Sequence, residues 1–92
     1  MKNLSIKIDD VVHWDDSTFI VYLNVEGLTY RIWSYIGGYH NDKPGDITFL
    51  PQYVDEEEGG IDFIETINGK LEYTWQECIN TISADMYVKG EE

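Results

Sequence analysis

The sequence predicts an α+β fold, an antiparallel sheet of about five strands with a C-terminal α-helix packed on it. Apolar and polar residues alternate over most of residues 4–36, a pattern typical of strands with one buried face. Short turn signals interrupt this alternation, and helical spacing replaces it after residue 73. A length of 92 residues fits one domain, so residues 1–92 are predicted to form a single acidic globular domain.

The first three strands are predicted from the alternation alone. They cover residues 4–12, 19–25 and 28–36. Residues 13–17 are predicted as the first turn. Glu26-Gly27 is predicted as a two-residue turn between the second and third strands, because glycine adopts a positive φ at little cost.

The turn at Glu26-Gly27 sets the register of the second and third strands. One face then pairs Val25 with Leu28, Leu23 with Tyr30, Val21 with Ile32, and Phe19 with Ser34. The other face pairs Asn24 with Thr29, Tyr22 with Arg31, and Ile20 with Trp33. A shift by one residue would mix the two faces, which supports this register.

The second face of this hairpin is predicted to be covered rather than bare. Tyr22 opposite Arg31 predicts a cation–π contact. The same face still carries Ile20, Trp33 and Tyr35, which predicts that the helix or another subunit covers it. This semi-apolar face also favours a homodimer.

The middle of the chain is predicted as loops and short strands. The loops cover residues 37–46 and 55–60, and a short strand covers residues 47–50. Pro51 is expected to end that strand because proline cannot donate to a ladder. Asn68-Gly69 favours a type I′ turn, so residues 61–67 and 70–73 are predicted to form a hairpin.

The helix has a start signal, a stop signal and one apolar stripe. Thr74 and Glu77 form a capping box. Gly90 ends the helix, with Lys89 at its negative end. The stripe is formed by Trp75, Cys78, Ile79, Ile82 and Met86.

The net charge limits the possible partners. The chain has 18 Asp and Glu against 6 Lys and Arg, a net charge of −12, yet 42% of its residues are hydrophobic. It is therefore expected to fold despite its own repulsion. Anionic membranes and nucleic acid would both be repelled, whereas a basic protein surface would be attracted.

The single cysteine and the lack of long apolar runs predict the cellular compartment. Cys78 is the only cysteine, which excludes an intrachain disulfide and a thiolate metal cluster, and its place on the apolar stripe predicts a buried structural thiol. The N-terminus has no apolar run of signal-peptide length, and no stretch approaches a membrane span. A cytoplasmic location is the expectation.

The dispersed carboxylates are the candidate functional groups. In the predicted hairpin Glu65 stands opposite Glu72. Like charges that face each other are unfavourable, so the pair is either tolerated because both carboxylates are solvated, or selected for a function. Alternate residues of a strand lie about 6.6 Å apart and strands about 4.8 Å apart, so carboxylates on strands and turns can imitate phosphates. The predicted partner-binding groups are Asp15, Asp16, Asp55, Glu56, Glu57, Glu58, Glu65 and Glu72.

Other chemistries have weaker signals. Residues 55–60 offer oxygen ligands for calcium, but Thr66 stands where an EF-hand loop has its bidentate glutamate, so a solvated loop with no metal or other cofactor is predicted. His13 and His40 lie in no nucleophile motif, so no enzymatic activity is predicted. The aromatic residues are predicted to be core, interface or protein-binding residues, namely Trp14, Trp33, Tyr35, Tyr39 and Tyr53.

A resemblance sharpens this prediction. In length, in acid pairs such as Asp15-Asp16 and in the acidic run at residues 55–58, the chain resembles the small acidic DNA-mimic proteins of bacteriophages, among them the anti-restriction proteins of T-even phages. The resemblance covers the whole chain in size and charge but contains no motif, so it assigns no role to a single residue. It implies a dimeric inhibitor of a restriction nuclease such as McrBC or of an H-NS-like nucleoid protein in the host bacterial cell.

Two further hypotheses remain open. An immunity or anti-CRISPR type protein would inhibit a single cognate basic enzyme through a few aromatic and acidic residues. A small metal or ligand module would respond to calcium.

Overall fold

The computed structural model describes residues 5–37, 47–57 and 64–90 and confirms the predicted fold class. Within these residues, five antiparallel strands form one sheet in the order β1-β2-β3-β4-β5, and one helix packs on it. The elements are β1 (Ile6–Asp15), β2 (Thr18–Val25), β3 (Leu28–Ile36), β4 (Ile47–Val54), β5 (Ile64–Thr66) and α1 (Trp75–Gly90). Each strand pairs with its neighbour in the chain, so the sheet is a simple meander.

The β2–β3 hairpin has the predicted register at every pair. Val25 faces Leu28, and the ladder continues to Thr18 opposite Tyr35. Glu26 and Gly27 both have positive φ, 52° and 88°, the geometry that matches the twist of the two strands. The Asn24 side chain stabilises the turn by accepting a hydrogen bond from the Gly27 N–H at 3.2 Å.

Helix α1 covers one face of the sheet, which we call the helix face. Tyr30 and Ile32 of β3 are fully buried there together with Cys78 and Ile82 of the helix. Trp75 and Met86 pack against the same cluster, so the predicted apolar stripe is confirmed at every position except Ile79. The Tyr30 hydroxyl donates to Asp85 at 2.7 Å, and this bond ties the centre of the sheet to the helix.

The predicted capping box of α1 is also present. The Glu77 N–H donates to Thr74 Oγ1 at 3.1 Å, and the Thr74 N–H donates to Glu77 Oε1 at 2.8 Å. At the other end, Lys89 pairs with Asp85 at 2.8 Å. Two of the orphan N–H groups and the negative end of the helix are thus stabilised locally.

Strand β1 is longer than predicted and contains two bulges. The register skips Asp9 between Ile8 and Asp10, and it skips Trp14 between His13 and Asp15. The residues predicted as a turn are mostly strand, and only Asp16 and Ser17 form the turn. β1 is an edge strand, where bulges are common because they limit pairing with other chains.

The prediction that Pro51 ends its strand is wrong. β4 continues to Val54, with Pro51 paired with Ile32 of β3. The Pro51 carbonyl accepts the Ile67 N–H at 3.3 Å, on the side away from β3. Because the N and C=O of one strand residue point to the same side, the missing N–H of Pro51 removes no bond from the β3–β4 ladder.

The predicted hairpin around Asn68-Gly69 is wrong, although its turn forms. Asn68 and Gly69 have positive φ of 64° and 71°. After the turn, however, Tyr73 exchanges two backbone hydrogen bonds with Phe49 of β4, at 2.9 and 3.0 Å. Glu65 pairs with Tyr53 instead of Glu72, so the predicted opposition of two carboxylates does not occur.

Several predictions fall wholly or partly outside the described residues. Of the loop predicted at residues 37–46, only Gly37 is described, with φ of 92°. Of the loop at residues 55–60, the described part is Asp55, Glu56 and Glu57. Tyr39, His40 and Glu58 lie outside.

Candidate functional site

The face of the sheet opposite the helix, which we call the distal face, contains the candidate site. The prediction that the helix covers Ile20, Trp33 and Tyr35 is wrong, because the helix packs on the other face of the β2–β3 hairpin. Ile20 is nevertheless only 2% exposed within the single chain. Coverage of this face by a second subunit stays a prediction.

The two bulges of β1 enrich the distal face in acidic and aromatic side chains. Asp10 pairs with Tyr22 and Asp15 pairs with Thr18, and both partners belong to the distal face. A bulge places two consecutive residues opposite one partner, so it can turn both toward one face. Asp9 and Trp14, the two extra residues, line the same groove as Asp10.

This groove, which we call the distal groove, is an open depression of about 720 Å³. It is lined by Asp9, Asp10, Trp14, Tyr22, Thr29, Arg31, Trp33, Val54, Glu56 and Ile64. Every strand of the sheet contributes at least one of these residues. Its charged residues are three carboxylates and one guanidinium, a net charge of −2.

Arg31 forms the polar centre of the distal groove. Its Nε donates to Gln52 Oε1 at 2.9 Å, and one terminal nitrogen donates to the Tyr22 hydroxyl at 3.3 Å. The guanidinium lies 4.8 Å from the ring centroid of Trp33. The predicted cation–π contact between Tyr22 and Arg31 is therefore wrong: Tyr22 accepts a hydrogen bond from Arg31, and the cation–π contact is made with Trp33.

The aromatic residues of the groove form a connected array around Trp33. The Trp33 indole N–H donates to Gln52 Oε1 at 2.6 Å, so one amide oxygen holds both Trp33 and Arg31. Tyr35 stacks with Trp33 at 6.4 Å, and Trp14 meets it edge-on at 5.5 Å. Trp14 is still 65% exposed. Trp33 is thus held by a hydrogen bond and by stacking, whereas Trp14 is presented to solvent.

Charge is distributed unequally between the two faces. Among the described residues, the two ion pairs are Lys70–Glu77 at 3.1 Å and Lys89–Asp85 at 2.8 Å, and both acids belong to α1. The Asp9, Asp10 and Glu56 carboxylates form neither of these pairs. The helix acids Glu77 and Asp85 are thus ion-paired, whereas the three groove carboxylates are offset by Arg31 alone and form no ion pair among the described residues.

The predicted partner-binding carboxylates occupy three separate regions. Asp15 and Asp16 lie where β1 turns into β2, whereas Asp55, Glu56 and Glu57 follow β4 at the opposite end of the sheet. These two ends of the sheet are six residues apart along a strand, which corresponds to about 20 Å. Glu65 lies on β5, Glu72 follows the Asn68-Gly69 turn, and Glu58 is outside the described residues.

Asp15 and Asp55 also have structural roles. The Asp15 carboxylate accepts the Ser17 N–H at 2.9 Å, and this bond lowers the pKa of Asp15 below its ordinary value. Asp55 accepts the Glu57 N–H at 3.0 Å. Asp15 therefore stays ionised at neutral pH, and both carboxylates stabilise turns.

The sequence prediction missed Asp9, Asp10, Tyr22, Arg31 and Gln52 as members of one site. One signal was present: the alternation through Ile6 and Ile8 changes phase before Val11, as it must where a bulge adds a residue. Gln52 could not be placed, because the strand was predicted to end at residue 50.

The described residues show no other obvious chemical centre. They contain no group of three or more His, Cys, Asp and Glu side chains positioned to hold a metal ion. Burial raises the pKa of the Cys78 thiol to about 12, as expected for a structural cysteine. No helix within the described part of the chain has the length and apolarity needed to cross a membrane.

The chain matches no protein-family model, and no curated protein or solved structure is significantly similar to it. The function of the chain is therefore inferred from the groove, the distribution of charge and the resemblance drawn from the sequence.

Proposed function

We propose that the protein is a DNA-mimic inhibitor that occupies the DNA-binding surface of a basic host protein. A restriction nuclease such as McrBC or an H-NS-like nucleoid protein is the proposed target, in the cytoplasm of the host bacterial cell. The mechanism is competitive and involves no covalent chemistry. Carboxylates take the place of phosphates, and the inhibitor itself does not bind nucleic acid.

The observation that carries this proposal is the unequal distribution of charge. Lys70 and Lys89 form ion pairs with helix acids, whereas bulges turn Asp9, Asp10 and Asp15 toward the distal face. If the negative charge served only solubility, carboxylates anywhere on the surface would do so equally well. Asp9, Asp10 and Asp15 are instead concentrated along the β1 edge and around the distal groove, which favours recognition of a basic surface.

The dimensions of the sheet are compatible with this mimicry. β1 and β4 are three strand spacings apart, about 14 Å. The major groove of B-DNA is about 12 Å wide between its phosphate walls. Asp10 on β1 and Glu56 after β4 line opposite sides of the distal groove and would stand for phosphates on its two walls.

Salt dependence tests the proposal directly. We expect the affinity for purified McrBC or an H-NS-like protein to fall at least about 10-fold between 50 and 200 mM salt, because both surfaces release counterions on binding. Duplex DNA should displace the inhibitor. An affinity that does not change with salt, or a complex that duplex DNA leaves intact, would overturn the proposal.

The second candidate function is inhibition of a single cognate basic enzyme, as immunity or anti-CRISPR type proteins do. The specific observation in its favour is the distal groove, because an ordered aromatic and arginine centre is typical of a binding hot spot. A panel of unrelated DNA-binding proteins separates the two candidates. Binding to several favours the mimic, and binding to one alone favours the cognate inhibitor.

A further inference from the structure

We infer that the distal groove is a recognition pocket for an arginine side chain of the basic partner, with Trp14 as the stacking surface and Asp9 and Asp10 as the anionic contacts. This inference rests on the proposed function, since both require a basic protein partner. It adds a localised contact to what would otherwise be recognition by a diffuse negative field.

The charge of the groove selects a cation. The bulge at Asp9 places two consecutive carboxylates in the same groove, and Glu56 adds a third from the other side. A regular strand would turn Asp9 and Asp10 to opposite faces. The bulge therefore creates a negative pair that the sequence alternation alone would not produce.

The groove already shows how it holds a guanidinium. Arg31 stacks over Trp33 and donates to an amide oxygen of Gln52. Trp14 and the Asp9-Asp10 pair offer the same two elements, an aromatic surface and oxygen acceptors, with Trp14 largely exposed. A planar guanidinium uses both elements at once, whereas an ammonium group is a compact point charge. Arginine is therefore favoured over lysine.

A second copy of the chain is the less favourable occupant. Each copy has a net charge of −12, and a symmetric contact through this face would place both copies' Asp9 and Asp10 in one interface. Like charges brought together at an interface oppose association. Charge complementarity thus assigns the groove to a basic partner.

The test uses a nona-arginine peptide and a nona-lysine peptide as defined probes, titrated against the full chain at low salt with calorimetry and Trp fluorescence. We expect Trp14→Ala and the double variant Asp9→Asn/Asp10→Asn each to weaken nona-arginine binding about 10-fold, as for residues of a binding hot spot. Nona-arginine should bind more tightly than nona-lysine.

Two matched control variants separate the contribution of the groove to binding from that of the overall negative charge. Glu91→Gln/Glu92→Gln removes the same number of negative charges at two residues that are not among the predicted partner-binding groups, and Tyr87→Ala removes an aromatic ring that is 70% exposed on the helix. Each control should weaken binding by less than about 3-fold, the size expected for exposed charges. Urea unfolding of every variant checks that the fold is retained.

The outcomes separate this inference from the proposed function. Equal weakening by the two double variants, together with no effect of Trp14→Ala, would overturn the arginine pocket and leave the DNA-mimic proposal standing. Groove-specific weakening with no binding of DNA-binding proteins would support the pocket and overturn the mimic. Failure of the wild-type chain to bind nona-arginine would overturn the pocket.

Discussion

The two faces of the sheet are built from the same β2–β3 hairpin but differ in what holds their polar groups. On the helix face, Tyr30 is fully buried and its hydroxyl is bonded to Asp85, which Lys89 neutralises. On the distal face, Arg31 is half-buried and is held by neutral groups, the Gln52 amide and the Tyr22 hydroxyl. The nearby Asp9 and Asp10 carboxylates form no ion pair with it among the described residues.

This difference indicates a division of roles between the faces. A buried charge is stabilised by pairing, and the helix face pairs its Asp85. The distal face instead orients a cation with neutral acceptors. Its Asp9 and Asp10 carboxylates form no ion pair among the described residues, although one Asp10 oxygen accepts the Val11 N–H at 2.9 Å. Stability is therefore expected to reside mainly on the helix face, and recognition on the distal face.

The largest expected effect is a loss of stability on the helix face. Ile82 is fully buried between the helix and the sheet, so Ile82→Ala should lower the free energy of unfolding by about 2–5 kcal/mol. Val12→Ala, at a partly exposed β1 position, should cost less than about 1 kcal/mol. Urea denaturation measures both. Similar losses in the two variants would contradict the division of roles.

The next prediction concerns the polar centre of the distal face. Gln52→Leu removes the oxygen that accepts from Arg31 and Trp33, and it should cost about 1–3 kcal/mol because two donors lose their acceptor. Gln52→Glu keeps an acceptor and serves as the control, with a smaller loss. Urea denaturation and the emission wavelength of tryptophan report on the change. An unchanged emission in Gln52→Leu would show that the contact does not order Trp33.

Alkaline pH should weaken the helix face selectively. Burial raises the pKa of Cys78 from about 9 to about 12, and it raises the pKa of Tyr30 as well. Below pH 9 the thiol is neutral in both states, so it contributes no pH dependence. Between pH 9 and 12 the unfolded thiol loses its proton and the folded thiol keeps it, so stability should fall, by roughly 1 kcal/mol at pH 10.

Cys78→Ala provides the control for this pH dependence. The variant should lose the part of the decline that begins near pH 9 and keep the later part that Tyr30 causes. The thiol of the native wild type should also react slowly with an alkylating reagent, and rapidly in urea. Equal rates in the native and unfolded protein would contradict the burial of Cys78.

The sequence predicted those parts of the fold that local pattern determines. The β2–β3 register followed because both faces and the turn agree, and the capping box followed from Thr74 and Glu77. The Asn68-Gly69 turn formed as well, but a turn does not determine where the chain goes afterward. Tyr73 pairs with Phe49, a contact distant in sequence that local signals do not contain.

The candidate site was less predictable than the fold. Acidity predicts a basic partner without reference to the fold, because net charge is independent of structure. The groove depends on which face the helix leaves open and on the bulges of β1, both of which are tertiary features. Because Pro51 was predicted to end its strand, Gln52 was not expected to lie in the sheet, although it pairs directly with Arg31 in the β3–β4 ladder.

The smallest expected effect compares one buried hydroxyl on each face. Ser34 Oγ on the helix face and Thr48 Oγ1 on the distal face are buried without a hydrogen-bond partner in the described part of the chain. An unsatisfied buried hydroxyl costs stability, so Ser34→Ala and Thr48→Val should each raise the free energy of unfolding by up to about 1 kcal/mol. Thr48→Val conserves shape, whereas Ser34→Ala leaves a small gap, so its gain should be the smaller one. Urea denaturation measures both gains. Stabilisation by Ser34→Ala combined with destabilisation by Thr48→Val would show that the Thr48 hydroxyl is hydrogen-bonded to solvent. The distal face would then be better hydrated than the helix face.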